Sequence, residues 1–173
     1  SDAVKLFEDF YMPNVSIIKI RHSKNEGVCA SLMDGFNRLI VEGCSVLMCL
    51  DNDGVVKKDF LSLVYMYDSM SQKNILTGFN CLTKNRNGTE RHKVLDSAPG
   101  WTQKKSVGGL NMIFSVQVYN LFIREALHRG MARVDNWDRA ACELVTAGGG
   151  KVICRVPSLV QHIGIKSSMG HTG

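Results

Sequence analysis

Apolar residues recur at helical spacing over residues 3–11, where Ala3, Val4, Leu6, Phe7 and Phe10 share one face, and Pro13 closes the segment. A helix is expected there. Residues 15–20 are short and β-branched (Val15, Ile17, Ile18, Ile20), which predicts a strand, and polar residues 23–27 follow as a loop. Val28, Leu32, Phe36, Leu39 and Ile40 then trace a helical stripe that stops near Glu42-Gly43. The apolar run 46–50 reads as a buried strand, residues 58–70 as a helix opened by Lys58-Asp59-Phe60-Leu61, and residues 74–79 as another strand. Helices alternating with strands predict a parallel sheet with helical crossovers.

The pattern weakens between Thr83 and Gly109. That polar stretch offers a hairpin turn at Asn87-Gly88 and a bend at Pro99-Gly100, with Trp101 isolated beside Lys104 and Lys105. Regularity returns with a strand over 110–114, a helix over 116–129, a second helix over 135–146 that runs into Ala147-Gly148-Gly149-Gly150, and a strand over 152–156. The end, 158–173, is rich in Ser, His and Gly and reads as a loop. No internal repeat or linker interrupts the 173 residues, so one domain is expected.

Composition narrows the picture. With 45% hydrophobic residues the chain can bury a core without staples. A net charge of +5 without a block of like charges fits small anionic substrates better than nucleic acid. Six scattered cysteines without a Cys-x-x-Cys pair argue against zinc and for a reducing, cytoplasmic compartment; the sequons Asn14-Val15-Ser16 and Asn87-Gly88-Thr89 would count only in a secretory lumen, the alternative location. The apolar runs are too short for a membrane span, and Ser1-Asp2-Ala3-Val4-Lys5 is no signal sequence.

The chemistry concentrates at Asp51-Asn52-Asp53-Gly54. A strand ending in Asp-x-Asp delivers two hard oxygen donors to a sheet tip, which suits Mn2+ or Mg2+ and the oxygens of a diphosphate. The same residues also make a good turn, because Asn, Asp and Gly tolerate left-handed backbone.

Taken with its neighbours, this motif resembles the nucleotide-sugar glycosyltransferases of the GT-A fold, family 2 in type. The resemblance rests on Lys24-Asn25-Glu26-Gly27 and its helix, on Asp51-Asn52-Asp53 with Lys58-Asp59-Phe60-Leu61, and on Val107-Gly108-Gly109. It continues through Asp135-Asn136-Trp137-Asp138 with Ala147-Gly148 and ends at Pro157-Ser158-Leu159-Val160-Gln161-His162-Ile163-Gly164. This last segment with Ser167-Ser168 is also similar to antenna-building N-acetylglucosaminyltransferases, and the compact size to small glycosyltransferases of large algal viruses, which implies a viral enzyme in a host cell as one setting.

The resemblance implies an α/β fold with a mostly parallel, Rossmann-like sheet flanked by helices, lacking the strand-helix-strand with which such enzymes open, so that the chain reads as a fragment. It implies Mn2+ or Mg2+ as cofactor, a UDP-sugar as donor and a glycan or other hydroxyl-bearing acceptor. Asp53 would bind the metal directly, with Asp51 on the ribose or a metal-bound water and Asn52 as a spacer. His162 would be a further metal ligand.

Inversion requires a carboxylate base, for which Asp138 stands ahead of Asp135, with Glu143 weaker; as first-turn residues the two aspartates read equally as helix caps. Trp137 would stack on an acceptor sugar or pack in the core. Gly108 and Gly109 would admit the donor sugar, Lys24, Gly27 and Arg21 would meet nucleotide or phosphate, and the tail 167–171 would close over the diphosphate. Retention of configuration stays open. The rival readings are a sugar-phosphate nucleotidyltransferase, which normally carries a Gly-rich phosphate loop not found here, and a non-catalytic carbohydrate-binding domain.

Overall fold

The computed structural model describes residues 16, 18–70, 72–85 and 87–163. The expected helix over 3–11 and the closing tail 167–171 lie outside the described residues. Of the expected strand over 15–20, residues 16 and 18–20 are described, and they take no regular structure.

From there the chain forms α1 (Val28–Val41), β1 (Val46–Leu50), β2 (Gly54–Val56), α2 (Ser62–Asp68) and β3 (Ile75–Thr77). A hairpin of β4 (Val94–Ala98) and β5 (Trp101–Lys104) precedes β6 (Asn111–Ser115). Three segments, Val116–Val118, the π-helical Tyr119–Ile123 and Arg124–Met131, then run on as one helix, α3. The elements α4 (Trp137–Ala147), β7 (Val152–Arg155) and β8 (Val160–His162) complete the order.

Six strands form one sheet in the order β1-β6-β3-β7-β5-β4. The expected mostly parallel sheet is corrected here: β3 and β7 pair in parallel, whereas every other neighbouring pair in the sheet is antiparallel. The reason is topological. β6 inserts between β1 and β3 in the opposite sense, and the polar stretch before it adds the antiparallel hairpin β4–β5, which turns at the expected bend Pro99-Gly100. β1, β3 and β7 nevertheless share one direction, so their C-terminal ends, together with the N-terminal end of β6, meet at one rim of the sheet.

Helices cover both faces. Leu47, Cys49, Ile75, Met112, Phe114, Val152 and Cys154 point to the α1, α3 and α4 side, and Leu76, Ile113 and Ile153 to the α2 side. This strict alternation over two buried faces explains why the central strands read as unbroken apolar runs. Each fully buried Leu, Ile or Phe contributes roughly 1.5–3 kcal/mol by area transfer.

One polar side chain pins the rim. Asn111 is fully buried; its Oδ1 accepts from Gly78 N at 2.8 Å, and its Nδ2 donates to the Cys49 carbonyl at 2.9 Å. It thereby holds the ends of β1, β6 and β3 in fixed register beside the acidic turn. At the other end of the sheet, the buried Tyr67 hydroxyl donates to Asn74 O at 3.1 Å and accepts from Ser115 N at 2.8 Å.

Candidate functional site

The acidic motif is both a turn and a pair of presented carboxylates. Asp51 N donates to Leu110 O at 2.9 Å, continuing the β1–β6 ladder by one residue, and Gly54 N donates to Asp51 O at 3.0 Å to close the turn. The chain leaves it as β2, which pairs antiparallel with β8 so that Gly54 stands opposite His162. The expected loop at 158–173 is corrected over this part, because residues 160–162 form a strand. Ile163 N bonds Asp53 O at 3.0 Å on the same ribbon.

That ribbon carries Asp53 to His162. Their side chains meet at 2.9 Å between Oδ2 and Nε2, although 109 residues separate them in sequence. Both remain partly open to solvent, at 40% and 46% exposure. The edge of Phe79, just beyond β3, lies against the imidazole with ring centroids 6.5 Å apart. Beside them a groove of about 370 Å3 runs along the ribbon between Phe79, Lys57, Ser158 and Gln161.

Asp51 lies behind this pair. Desolvation raises its pKa above the ordinary carboxylate range, Asp53 and then Asp138 push the same way, and His162 opposes them. For an acid so raised, the unfolded chain releases its proton first. Folding stability therefore declines as pH climbs through the carboxylate range, and the ionised form costs the fold most at neutral pH. A cation at the turn would relieve that cost.

Asp138 approaches from α4. Its Oδ2 accepts from Gly109 N at 3.1 Å, and its Oδ1 accepts from Arg139 N at 2.8 Å, which leaves lone pairs on both oxygens. Gly109 is held close because the Trp137 ring lies under it; a Cβ there would stand 2.6 Å from Trp137 Cζ2. Trp137 itself is 9% exposed and belongs to the core, so little of its ring is open to an acceptor sugar. Gly108 has no such neighbour.

Asp135, just before α4, and Glu143, within it, are engaged elsewhere. Arg139 Nη2 bonds Asp135 Oδ1 at 2.6 Å, Asn136 N bonds the same oxygen at 2.7 Å, and Arg139 Nε stands 4.0 Å from Glu143. Of these three carboxylates, only Asp138 acts on Asp51.

The segment before α1 is exposed, and no hydrogen bond or ion pair joins Arg21 or Lys24 to the acidic turn. Gly27 caps α1 with φ +84°, a conformation that favours glycine, and its N donates to Asn25 Oδ1 at 3.0 Å. Nearby stands a trio that the sequence reading did not single out: the ligand atoms of His22, Glu26 and Asp34 lie within 4.8 Å of one another. No other such trio occurs among the described residues, so direct contact at the acidic turn is the Asp53–His162 pair, with Asp51 outside that radius.

Chemically, the acidic turn offers two donor groups, the Asp53 carboxylate and the His162 imidazole, of the types that divalent cations take. Carboxylate and imidazole converging at a half-exposed rim suit Mn2+ and other first-row metals, with Mg2+ favoured by the carboxylates alone. No family model matches the chain, and no curated protein sequence matches it. No helix among the described residues is long and apolar enough to cross a membrane.

Proposed function

We propose that this chain is a metal-dependent glycosyltransferase of the GT-A type that moves a sugar from a nucleoside diphosphate, UDP, to a hydroxyl acceptor with inversion. The observation that carries the reading is the 2.9 Å contact between Asp53 and His162. Two residues read as metal ligands from separate motifs, 109 positions apart, belong to one ribbon at the rim where β1, β3 and β7 end. Open α/β sheets bind ligands at such carboxyl ends.

In this reading Asp53 and His162 hold Mn2+ or Mg2+, and Asp51 faces the ribose. The cation, when bound, offsets the charge of the departing diphosphate. Gly108, whose missing side chain leaves open space, admits the donor sugar, Gly109 packs on Trp137 and offers its N–H, and Asp138, fixed by that N–H, takes the proton of the acceptor hydroxyl. Trp137 sets the position of Gly109 from below. Arg21, Lys24 and Gly27 meet the nucleotide. The six free thiols, four of them buried, support a cytoplasmic setting.

Incubating the chain with a panel of UDP-sugars and Mn2+, and following UDP release, tests this directly. Release from at least one donor that stops with chelator is the expected outcome. A folded protein that releases nucleotide from no donor, with or without acceptor sugars, would count against it.

A further inference from the structure

The segment leading into α1 takes no regular structure, and one side chain ties it down. Residues 18–28 are exposed with the single exception of His22, whose side chain is 20% exposed. The imidazole is tucked between two carboxylates. Its Nδ1 lies 3.4 Å from Glu26 Oε2, four residues on, and 3.8 Å from Asp34 Oδ2, which comes from the second turn of α1. The carboxylates close the triangle, since all three ligand atoms lie within 4.8 Å of one another.

These separations point to a shared ligand. An N–H···O bond is about 2.7–3.2 Å long, so the imidazole stands beyond good hydrogen-bond length from both acids. Two donors each about 2.0–2.2 Å from one tetrahedral ion stand about 3.4 Å apart, which is the spacing of His22 and Glu26. The three atoms are therefore arranged around a common point rather than bonded to one another. The charge agrees with this: among the described residues no Lys or Arg forms an ion pair with Glu26 or Asp34, so a dication would neutralise both. An imidazole with two carboxylates favours first-row transition ions over Mg2+ or Ca2+, which take oxygen donors, and holds Zn2+ more tightly than Mn2+. The cysteine pattern argued against a thiolate zinc site, and this one uses no sulfur.

From this geometry we infer that His22, Glu26 and Asp34 form a divalent-cation site that takes Zn2+, with water in the open position, and clamps the segment before α1 onto the helix. Two ligands come from the segment and one from α1, so the ion bridges the two. No ligand is shared with the acidic turn, and the inference stands independently of the glycosyltransferase reading.

Hydrogen-exchange mass spectrometry of the whole chain, with Zn2+ or with chelator, tests it. With Zn2+ at a hundredfold excess over its dissociation constant, amides in residues 20–31 should exchange about 10–100-fold more slowly. Mg2+ at the same concentration should leave them unchanged. His22→Ala and, separately, Asp34→Ala, each shown folded by circular dichroism, should lose the Zn2+ protection, whereas Asp53→Asn should keep it, which separates this site from the acidic turn. Exchange that Zn2+ does not slow, equal protection by Mg2+, protection that survives in either His22→Ala or Asp34→Ala, or its loss in Asp53→Asn would overturn the inference.

Discussion

Asp53→Asn is expected to weaken metal-dependent nucleotide binding at least about 100-fold while leaving the fold intact. Loss of groups that merely support a metal ligand costs 10–100-fold in affinity, so loss of a ligand's charge should cost no less. Stability should barely change, because the Asp53–His162 pair is half-exposed and such pairs are worth about 0–1 kcal/mol. Melting curves separate the two effects. With Mn2+ and UDP at a hundredfold excess over their dissociation constant, binding adds about 2.7 kcal/mol, or about 5–10 °C in a chain of this size. Wild-type protein should show that shift. The variant should melt with the wild-type protein when metal-free and shift by no more than about 1–2 °C when metal and UDP are added. A variant that still responds fully would remove Asp53 from the metal site.

Asp138→Asn should lower sugar transfer by about 10^2–10^4 while metal-dependent UDP binding persists, as expected for loss of a general base. The substitution is informative because an amide oxygen can still accept from Gly109 N, the 3.1 Å bond that anchors the glycine loop. If Asp138 only secured that loop, asparagine would serve nearly as well. Asp135→Asn is the matched control: it gives up one contact with the exposed Arg139, so transfer should stay within a few-fold of wild type. Single-turnover assays on both variants, with UDP binding measured in parallel, decide between base and anchor. Near-normal transfer by Asp138→Asn would end its role as base.

The helices and the main strands were legible because their apolar residues are periodic and their stops are strong. α1, β1, β3, β6, α3, α4 and β7 fall within a few residues of where the pattern puts them. α2 begins later than expected, after turns at 58–61. The direction of β6 was not legible, since five buried residues look alike in either sense and its partners come from distant segments. β5 hid behind its polarity: Lys104 is buried only because its ammonium reaches the Cys81 carbonyl, a tertiary contact that overrides composition. The fully exposed β4 and the three-residue β2 and β8 have no hydrophobic alternation to read.

The candidate site shows the same division. Order of motifs was enough to single out Asp51, Asp53 and His162, but only the β2–β8 pairing explains why Asp53 and His162 touch. Asp135 and Asp138 are indistinguishable by type and nearly by position; the Arg139 contact on one and the Gly109 contact on the other separate them. Trp137 could be read as core or as acceptor platform, and its burial against Gly109 belongs to packing.

Calorimetric titration of UDP into the purified chain, once with Mn2+ and once with chelator, tests the central claim most directly. Saturable binding with Mn2+ that vanishes with chelator is the predicted result. Identical heats in the two titrations, with the protein folded throughout, would contradict a metal-dependent nucleotide site at Asp53 and His162.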